Sequence, residues 1–288
     1  ARSTSPTGKQ RRRQRQSAGD SGNRTTKWFG EWWEKRDELR AGMREALSSY
    51  KIVQIRNFLS RDKAESLHRE LFNSPHYKLY ESYDRWYQYH FRAIYQQNPH
   101  FTEHPQMVEL TQLLDSRDIR DWVQQISGSE VNGSTIAGAS YYSANDYTMV
   151  HTDVAGGHRE AEARRRVAFI LHLTKEWNPK FGGDLVFMNP AYITHPSFNT
   201  LTMFPVSDAS WHFVSPVAQI TPPHIKRLAF SGWWMSTNVD QATQIEHGNR
   251  EEDRLRSFAF VVDGETAKEI SFQEAYEHMG GLWDKVVG

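Results

Sequence analysis

The 288-residue sequence contains no cysteine, and this absence excludes disulfide bonds, thiolate metal sites and cysteine nucleophiles. It also has no hydrophobic run that approaches the roughly 20 apolar residues of a membrane-spanning helix. Nor does it show the charged and then apolar segments of a secretory leader. We therefore expect a cytoplasmic, intracellular protein without a membrane span, in which any metal site is built from imidazole and carboxylate ligands.

Acidic residues are almost missing from the first 27 residues, although the whole chain has a formal net charge of zero. Residues 1–27 contain eight Lys or Arg and only Asp20 as an acidic residue, so this segment carries +7 and the remainder −7. It has no aromatic residue and no Leu, Ile, Val or Met, a composition that predicts a disordered basic tail. The tail is either a solvated terminus or an arm that binds RNA, acidic surfaces or anionic lipid. Because interleaved aromatic residues for base stacking are missing, we expect nucleic acid as a partner only through this tail.

Patterns of apolar residues predict that the rest of the chain, residues 28–288, forms one domain. We expect residues 28–134 to be helical support with a lid, residues 135–236 a β core and residues 237–288 a C-terminal extension. Predicted helices run from Trp28 to Ser48–Ser49, from a cap at Ser60, over 105–127, and from a capping box at Ser271 and Glu274. Predicted strands cover 51–57, 83–95, 135–143, 148–153, 165–174, 185–188, 199–204, 212–216 and 227–236. Short strands at this spacing indicate a sandwich or a closed jelly roll.

Potential metal ligands are concentrated in the β core. His151 and Asp153 are two residues apart, and in a strand such side chains point to the same face. His212 follows in a second β-like segment. Two imidazoles and one carboxylate leave three coordination positions open, which is the ligand arrangement of non-haem Fe(II) oxygenases.

An arginine, Arg227, begins the last predicted strand of the β core. Its guanidinium could receive a carboxylate in bidentate fashion, with Ser231 as an auxiliary donor. The alternative is a surface arginine at the start of a strand. Inside a barrel, an arginine without an anion would be costly, and this favours an anion-binding site.

The β core contains three motifs in a set order. Tyr142–Asp153 has a tyrosine, a turn and H-x-D; Arg165–Gly183 has an arginine, a strand, a tryptophan and two glycines; Arg227–Trp233 has an arginine, a serine and Gly-Trp. In combination they resemble the prolyl-4-hydroxylase-like branch of the 2-oxoglutarate- and Fe(II)-dependent dioxygenases, over about residues 135–236. The resemblance implies a mainly β fold with flanking helices: a double-stranded β-helix (jelly roll, cupin-like) buttressed by N-terminal helices.

Carried over position by position, the resemblance also implies the roles of five residues. His151, Asp153 and His212 would be the Fe(II) ligands. Arg227 would bind the distal carboxylate of 2-oxoglutarate, and Tyr142 would lie at the edge of that pocket. The implied reaction uses O₂, hydroxylates an unactivated C–H bond, and releases succinate and CO₂; ascorbate would support it.

The sequence departs from the family pattern at two positions. His172 stands where relatives often have a tyrosine that helps to hold the 2-oxoglutarate carboxylate. It could donate one hydrogen bond in place of the phenol, or it could be a core histidine. Asn145 replaces a turn glycine, and asparagine also tolerates left-handed backbone geometry. Neither departure removes a predicted metal ligand.

The substrate is less well defined by the sequence than the reaction. The favoured substrate is a prolyl or other amino-acid residue in a protein; the alternative is a free amino acid or small metabolite. A non-catalytic jelly-roll binding module is a third interpretation, of another class. The oligomeric state is not predicted.

Five residues are predicted to contact the substrate. The aromatic segment 86–92 precedes the β core and forms either a lid over the substrate or a strand that packs on the core. The predicted substrate-side residues are Tyr89, Arg92, Asp146, Tyr147 and Trp233.

Overall fold

The structure is a computed structural model, and it describes residues 27–49, 51–154, 163–188, 191–238, 257–264, 266–271 and 274. In these ranges the helices are α1 (Arg36–Ser48), α2 (Arg61–Phe72), α3 (Pro105–Leu114) and α4 (Arg117–Ser127). The strands are β1 (Ile52–Arg56), β2 (Lys78–Tyr83), β3 (Gln88–Tyr95), β4 (Ile136–Tyr142), β5 (Tyr147–His151), β6 (Arg164–Leu173), β7 (Leu185–Met188), β8 (Ala191–Thr194), β9 (Phe198–Pro205), β10 (His212–Val214), β11 (Arg227–Ser236), β12 (Ser257–Asp263) and β13 (Thr266–Ser271). The predicted mainly β fold with N-terminal helices is confirmed.

All described strands belong to one hydrogen-bonded sheet. Its order is β13-β12-β1-β9-β6-β11-β4-β3-β5-β10-β7-β8, with β2 paired to β3. The β1–β12 pair is parallel, and the other pairs are antiparallel. Strands from outside residues 135–236 therefore contribute to the same sheet as the predicted β core.

The two faces of the central strands have different environments, as β11 illustrates: one packs against the helices and the other faces the interior of the barrel. Leu228, Phe230 and Trp234 are fully buried on the face that packs against the helices, in the same apolar cluster as the buried side of α1, α3 and α4. Arg227 and Trp233 lie on the opposite face, because side chains alternate along a strand. The apolar face anchors the strand to the helices and directs the polar residues into the interior of the barrel.

The N-terminal helix begins later than the sequence pattern predicted. Trp28 and Gly30 instead make backbone hydrogen bonds with the loop after β1, where Trp28 O accepts from Ser60 N and Gly30 N donates to Phe58 O. Trp32 stacks on Phe58 and donates its indole N–H to the Phe58 carbonyl at 2.7 Å. Trp28 is helical, but Phe29 forms a β-bridge with Leu59 and Gly30 is extended, so the helical path is interrupted there. A 3-10 helix follows at Glu31–Trp33, and the regular α-helix starts only at Arg36.

Three other predictions of local structure are corrected. The helix predicted over 105–127 is two helices, because Asp115 leaves the helix and accepts a hydrogen bond from Thr135 N at the start of β4. The strand predicted over 83–95 is the second arm of a hairpin, whose turn is closed by a bond from Trp86 N to Asp84. Ser60 occupies the cap position of α2, yet its hydroxyl donates to Lys27 O rather than capping the helix.

The C-terminal part adds a hairpin to the sheet edge. Strands β12 and β13 pair with each other, and Ser271 is the last residue of β13. The predicted helix after Ser271 falls almost entirely outside the described residues, as does the predicted basic tail. Among the residues with described positions, no helix is long and apolar enough to cross a membrane.

Candidate metal and carboxylate site

Three predicted metal ligands meet at one end of the barrel. His151, at the end of β5, lies directly opposite His212 on β10, and their ring centroids are 4.3 Å apart. The Asp153 carboxylate is 3.7 Å from His151 Nε2 and 3.8 Å from His212 Nε2. One ligand atom from each of the three residues lies within 4.8 Å of the others. The cluster therefore has the size and donor set for one transition-metal ion.

Asp153 reaches this cluster by a different route from the one predicted. The strand ends at His151, so Asp153 lies in the turn that follows rather than on the same strand face. The metal ligands converge because β5 pairs with β10, and because the turn residue Asp153 lies within 3.8 Å of both imidazoles. The prediction of shared strand alternation between His151 and Asp153 was therefore wrong, although the two side chains do meet.

Both imidazoles are oriented by backbone carbonyls. His151 Nδ1 lies 2.8 Å from Met149 O, and His212 Nδ1 lies 2.8 Å from Ser210 O. A carbonyl only accepts, so each Nδ1 carries the proton and each Nε2 is left unprotonated on the side of the cluster that it shares with the Asp153 carboxylate. Burial and then the neighbouring His212 lower the pKa of His151 to about 4. His151 is therefore neutral at physiological pH, as a metal ligand must be.

The carboxylate of Asp153 is held by two further side chains. Trp233 donates its indole N–H to Asp153 Oδ2 at 2.9 Å. The Arg165 guanidinium lies 4.0 Å above the Trp233 ring and 3.8 Å from Asp153 Oδ1. The structure thus gives Trp233 a contact with a predicted metal ligand, a role that the sequence analysis missed.

This contact gives a testable prediction. Trp233→Phe keeps the ring and removes the N–H, and we expect metal affinity to fall about 10- to 100-fold, as is usual for outer partners of metal ligands. Titration with Mn(II) would measure the change. The control is Trp234→Phe, since Trp234 donates to Leu114 O on the helix side of the same strand and its loss should leave metal affinity unchanged. Equal affinities of the Trp233 variant and the wild type would contradict this role.

A buried arginine faces the interior of the same barrel. Arg227 is 3% exposed, and its Nε donates to Gly183 O at 2.5 Å. Within the described part of the chain, no carboxylate lies within ion-pairing distance of its guanidinium: burial lowers the pKa of Arg227, and Asp184, which pairs with His195, raises that pKa only from farther away. A buried cation is costly without an anion. The geometry therefore fits a ligand that carries a negative charge.

The two adjacent glycines make room for this arginine. Gly182 and Gly183 have φ angles of +66° and +68°, which side chains rarely adopt. A Cβ on Gly183 would lie 3.2 Å from Arg227 Cδ and 3.1 Å from the Trp177 ring. The Gly-Gly motif therefore permits the left-handed backbone of the turn and also leaves space for the Arg227 side chain. Asn145 likewise has φ +70°, so it takes the left-handed turn conformation that was anticipated for it.

The other residues predicted around the anion line the same face. Tyr142 pairs directly with Arg227 across β4 and β11; the Arg227 guanidinium lies 4.9 Å from its ring, and its hydroxyl bonds Thr148 Oγ1 at 2.9 Å. Ser231 is four residues along β11 from Arg227, on the same face. His172, on β6, pairs with Ala229 of β11, and Ala229 is two residues from Arg227 on that strand. Burial, followed by the Arg227 charge, lowers the pKa of His172 to about 3.

Four of the predicted substrate-side residues make contacts within the protein itself. Asp146 is 1% exposed and accepts hydrogen bonds from Arg92 Nη1 at 2.9 Å and Ser143 N at 2.7 Å. Asp146 and Arg92 thus contact each other in an internal ion pair. Tyr147 donates to Gln88 at 3.3 Å, while the Tyr89 ring packs against Phe91 and Tyr87.

The aromatic segment 86–92 was predicted to be either a lid or a strand that packs on the core, and the hairpin β2–β3 has features of both. Residues 88–92 form a strand that pairs with β4 and β5, as expected for packing. Trp86, at the tip, is 80% exposed, and Tyr87 next to it lies 5.2 Å from the His151 ring. Tyr87 was not among the predicted site residues. The pairing of β3 with β5 brings it to the metal ligands, and no local sequence signal marks that pairing.

Exposed apolar side chains border the metal ligands. We call this set the apolar rim, and its members are Trp86, Met149, Val154, Met188 and Trp211, all of them exposed. Met149 and Val154 flank the His151–Asp153 segment, and Trp211 precedes His212. Met188 N donates to Trp211 O, which joins the last two members. Exposed apolar residues grouped at a site are typical of an interaction surface.

A second cluster of ligand-type atoms differs from this site. His76, His100 and Glu103 also bring one atom each within 4.8 Å of one another. Their side chains are more exposed, and His100 Nδ1 already bonds Glu103 at 2.7 Å. The buried cluster at the end of β5 is therefore the stronger candidate metal centre.

Comparison with known sequences agrees with this geometry. Residues 137–235 match the sequence model of the 2OG-Fe(II) oxygenase superfamily. The prolyl 3-hydroxylase OGFOD1 of Mus musculus is 30% identical over 197 residues, which are 64% of this chain and 32% of that protein. The Xenopus laevis protein of the same name is 31% identical over 133 residues, 43% of this chain and 24% of that protein. The chain spans less than a third of the length of these relatives, and the matches confirm the resemblance seen in the motifs.

Solved structures share the fold. A Pseudomonas putida prolyl-4-hydroxylase superposes with a TM-score of 0.52 at 18% identity, covering 68% of this chain and 98% of that one. A Trichoplax adhaerens prolyl hydroxylase in complex with a hypoxia-inducible-factor peptide fragment gives 0.53 at 16% identity, covering 70% and 91%. At these identities the likeness shows the fold alone, and it confirms the predicted double-stranded β-helix.

Proposed function

We propose that this chain, whose β core matches the 2OG-Fe(II) oxygenase superfamily, is an Fe(II)- and 2-oxoglutarate-dependent dioxygenase. It would hydroxylate an unactivated C–H bond of a prolyl or other amino-acid residue in a protein and release succinate and CO₂. One observation carries the proposal: two imidazoles and a carboxylate converge in a barrel whose inner face also holds a buried arginine, with no carboxylate in ion-pairing distance among the residues the structure describes. The superfamily implies Fe(II) as the metal cofactor and 2-oxoglutarate and O₂ as co-substrates.

Each residue of the cluster has a distinct task in this proposal. His151 and His212 would hold Fe(II) with their imidazoles, and Asp153 would supply one negative charge, which would leave the bound ion with a net positive charge. Bound Fe(II), with 2-oxoglutarate and O₂, supplies the oxidation of the C–H bond. Phe187 and Phe204 pack on the His212 ring, with centroids 5.8 and 4.9 Å away, and exclude water from that side.

The 2-oxoglutarate dianion would be held between the metal and the arginine. Arg227 pairs with the distal carboxylate, and the bidentate geometry of a guanidinium suits this task. Tyr142 and Ser231 flank that carboxylate from the same face of the barrel. The two positive groups, metal and arginine, together match the two negative ends of the ligand.

A protein is the favoured substrate because of the apolar rim. A small polar metabolite would not require exposed Trp86 and Trp211 around the metal ligands, whereas a peptide segment can bury them. The named relatives are prolyl hydroxylases, and one solved neighbour holds a peptide, which supports the same choice. That Tyr89 and Tyr147 contact the substrate stays a prediction. The ion pair between Asp146 and Arg92 would instead hold the paired strands β3 and β5 in position.

The reaction itself provides the test. The purified chain with Fe(II), 2-oxoglutarate, O₂ and ascorbate should form succinate when a suitable substrate is added. Mass spectrometry of candidate peptides and of free amino acids should then detect the addition of one oxygen atom to the peptides. Addition to free amino acids alone would favour the metabolite hydroxylase. Absence of both turnover and 2-oxoglutarate binding would favour the non-catalytic binding module.

A further inference from the structure

A chain of three hydrogen bonds, two of them partly buried and the last buried, crosses four strands and ends at His172. Tyr192 on β8 donates its hydroxyl to Gln54 Oε1 at 2.9 Å. Gln54 on β1 donates from Nε2 to Thr202 Oγ1 at 3.2 Å. Thr202 on β9 lies 3.2 Å from His172 Nε2. We call these four residues the tyrosine–histidine relay.

The relay supports one tautomer of His172. Thr202 Oγ1 accepts the Gln54 N–H and still has its own hydroxyl hydrogen to donate to His172 Nε2, which lies 3.2 Å away. The low pKa of His172 leaves the ring neutral, with a single proton. With Thr202 as the donor to Nε2, that proton lies on Nδ1. In the described part of the chain, His172 Nδ1 is buried and has no hydrogen-bond partner.

Within the described residues, the His172 nitrogen without a partner and the Arg227 guanidinium, which has no carboxylate within ion-pairing distance, therefore lie on the same face of the barrel. The register puts His172 opposite Ala229, so Arg227 is its diagonal neighbour on the same face, within reach of a long side chain. A buried donor left without an acceptor is costly, and so is a buried unpaired cation. An anion placed between them would satisfy both.

We infer that His172 Nδ1–H is the second donor to the distal carboxylate of 2-oxoglutarate. Thr202, Gln54 and Tyr192 are positioning residues that hold the proton on that nitrogen. This inference rests on the proposed function, and it names the feature by which the site recognises a five-carbon dicarboxylate. A neutral imidazole donates over a wide pH range, whereas a charged one would have to be desolvated beside Arg227.

The first test separates recognition of the distal carboxylate from general binding. In the presence of Mn(II) without O₂, Thr202→Val should weaken 2-oxoglutarate binding about tenfold, the usual effect of losing one hydrogen bond to a charged group. Binding of 2-oxopentanoate, which has the same length but no distal carboxylate, should not change. Thr202→Ser, which keeps the hydroxyl, should restore the affinity and also shows that the site tolerates substitution.

A matched control lies on the same strand. Thr200 is two residues from Thr202 on the same face and pairs with His172 in register, but its hydroxyl takes no part in the relay. Thr200→Val should therefore leave both affinities at the wild-type value. If Thr200→Val and Thr202→Val behave alike, or if both ligands weaken equally in Thr202→Val, the inference is overturned.

The second test observes the tautomer directly. In protein labelled with ¹⁵N-histidine, NMR should place the ring proton of His172 on Nδ1 in the wild type, and Thr202→Val should shift protons to Nε2. A proton on Nε2 in the wild type would overturn the relay polarity even if 2-oxoglutarate binds. Conversely, a wild-type protein that binds no 2-oxoglutarate would reject the proposed function itself, whatever the tautomer.

Discussion

Asp153→Ala is expected to abolish substrate hydroxylation while the fold stays intact. The carboxylate lies within 3.8 Å of the Nε2 atoms of both His151 and His212, so its removal takes away the only charged ligand of the cluster. Mutation of a residue that hydrogen-bonds a metal ligand typically lowers metal affinity or activity about 10- to 100-fold. Removal of a ligand itself should lower activity by more than that. His212→Ala should have the same effect. Succinate release and oxygen incorporation into substrate would both be measured.

The control for this prediction is another carboxylate with a structural task. Asp115→Ala removes the acceptor of Thr135 N at the junction of α3 and α4, on the helix side of the sheet. It should lower the thermal unfolding temperature but leave turnover per folded molecule unchanged. Substantial hydroxylation by Asp153→Ala or His212→Ala, in protein with wild-type circular dichroism, would reject the ligand assignment.

Arg227→Met should weaken 2-oxoglutarate binding about a hundredfold or more, since breaking a buried charge pair costs roughly 2–5 kcal/mol. The same change should leave the stability of the ligand-free protein nearly unchanged, because relief of the buried charge offsets the loss of the bond from Arg227 Nε to Gly183 O. The charge is costly because the guanidinium is 3% exposed, has no carboxylate in ion-pairing distance among the described residues, and gives up hydration in the folded state. Calorimetric titration and thermal unfolding without ligand would measure the two effects.

Lys226 provides the matched control for Arg227. It is the adjacent cation, but it donates to Phe72 O at 2.7 Å and lies over the Tyr141 ring, on the helix side of β11. Lys226→Met should lower stability and leave 2-oxoglutarate affinity unchanged, the reverse of the Arg227 result. A large loss of stability in ligand-free Arg227→Met would show that the arginine is structural.

The parts of the fold that the sequence predicted are those with a local signal. Strand β11 has the predicted bounds, Arg227–Ser236, because its alternating residues distinguish the helix-facing and interior faces. The three metal-type residues were found because the motif places them near strand ends. Asn145 was anticipated in a left-handed turn because few residue types tolerate one.

The parts that were missed depend on contacts between distant residues. The bond from Trp233 to Asp153 joins positions 80 apart, and the pairing of Asp146 with Arg92 joins positions 54 apart. Neither has a periodic pattern that could reveal it. The break in the helical path at Phe29 and Gly30 was missed for the same reason, since contacts with the loop after β1 interrupt the helical spacing.

The parallel pairing of β1 with β12 has a consequence for the synthesis of the chain. Arg56 and Asp263, 207 positions apart, are joined across this pair, and Gln54 of the relay lies in the same strand β1. A growing polypeptide cannot complete this pair until residues beyond Asp263 have left the ribosome. Until then one edge of β1 offers unpaired backbone groups to other nascent strands. Completion of the sheet is therefore a late step of folding, and the N-terminal half of the chain depends on the C-terminal part to protect that edge.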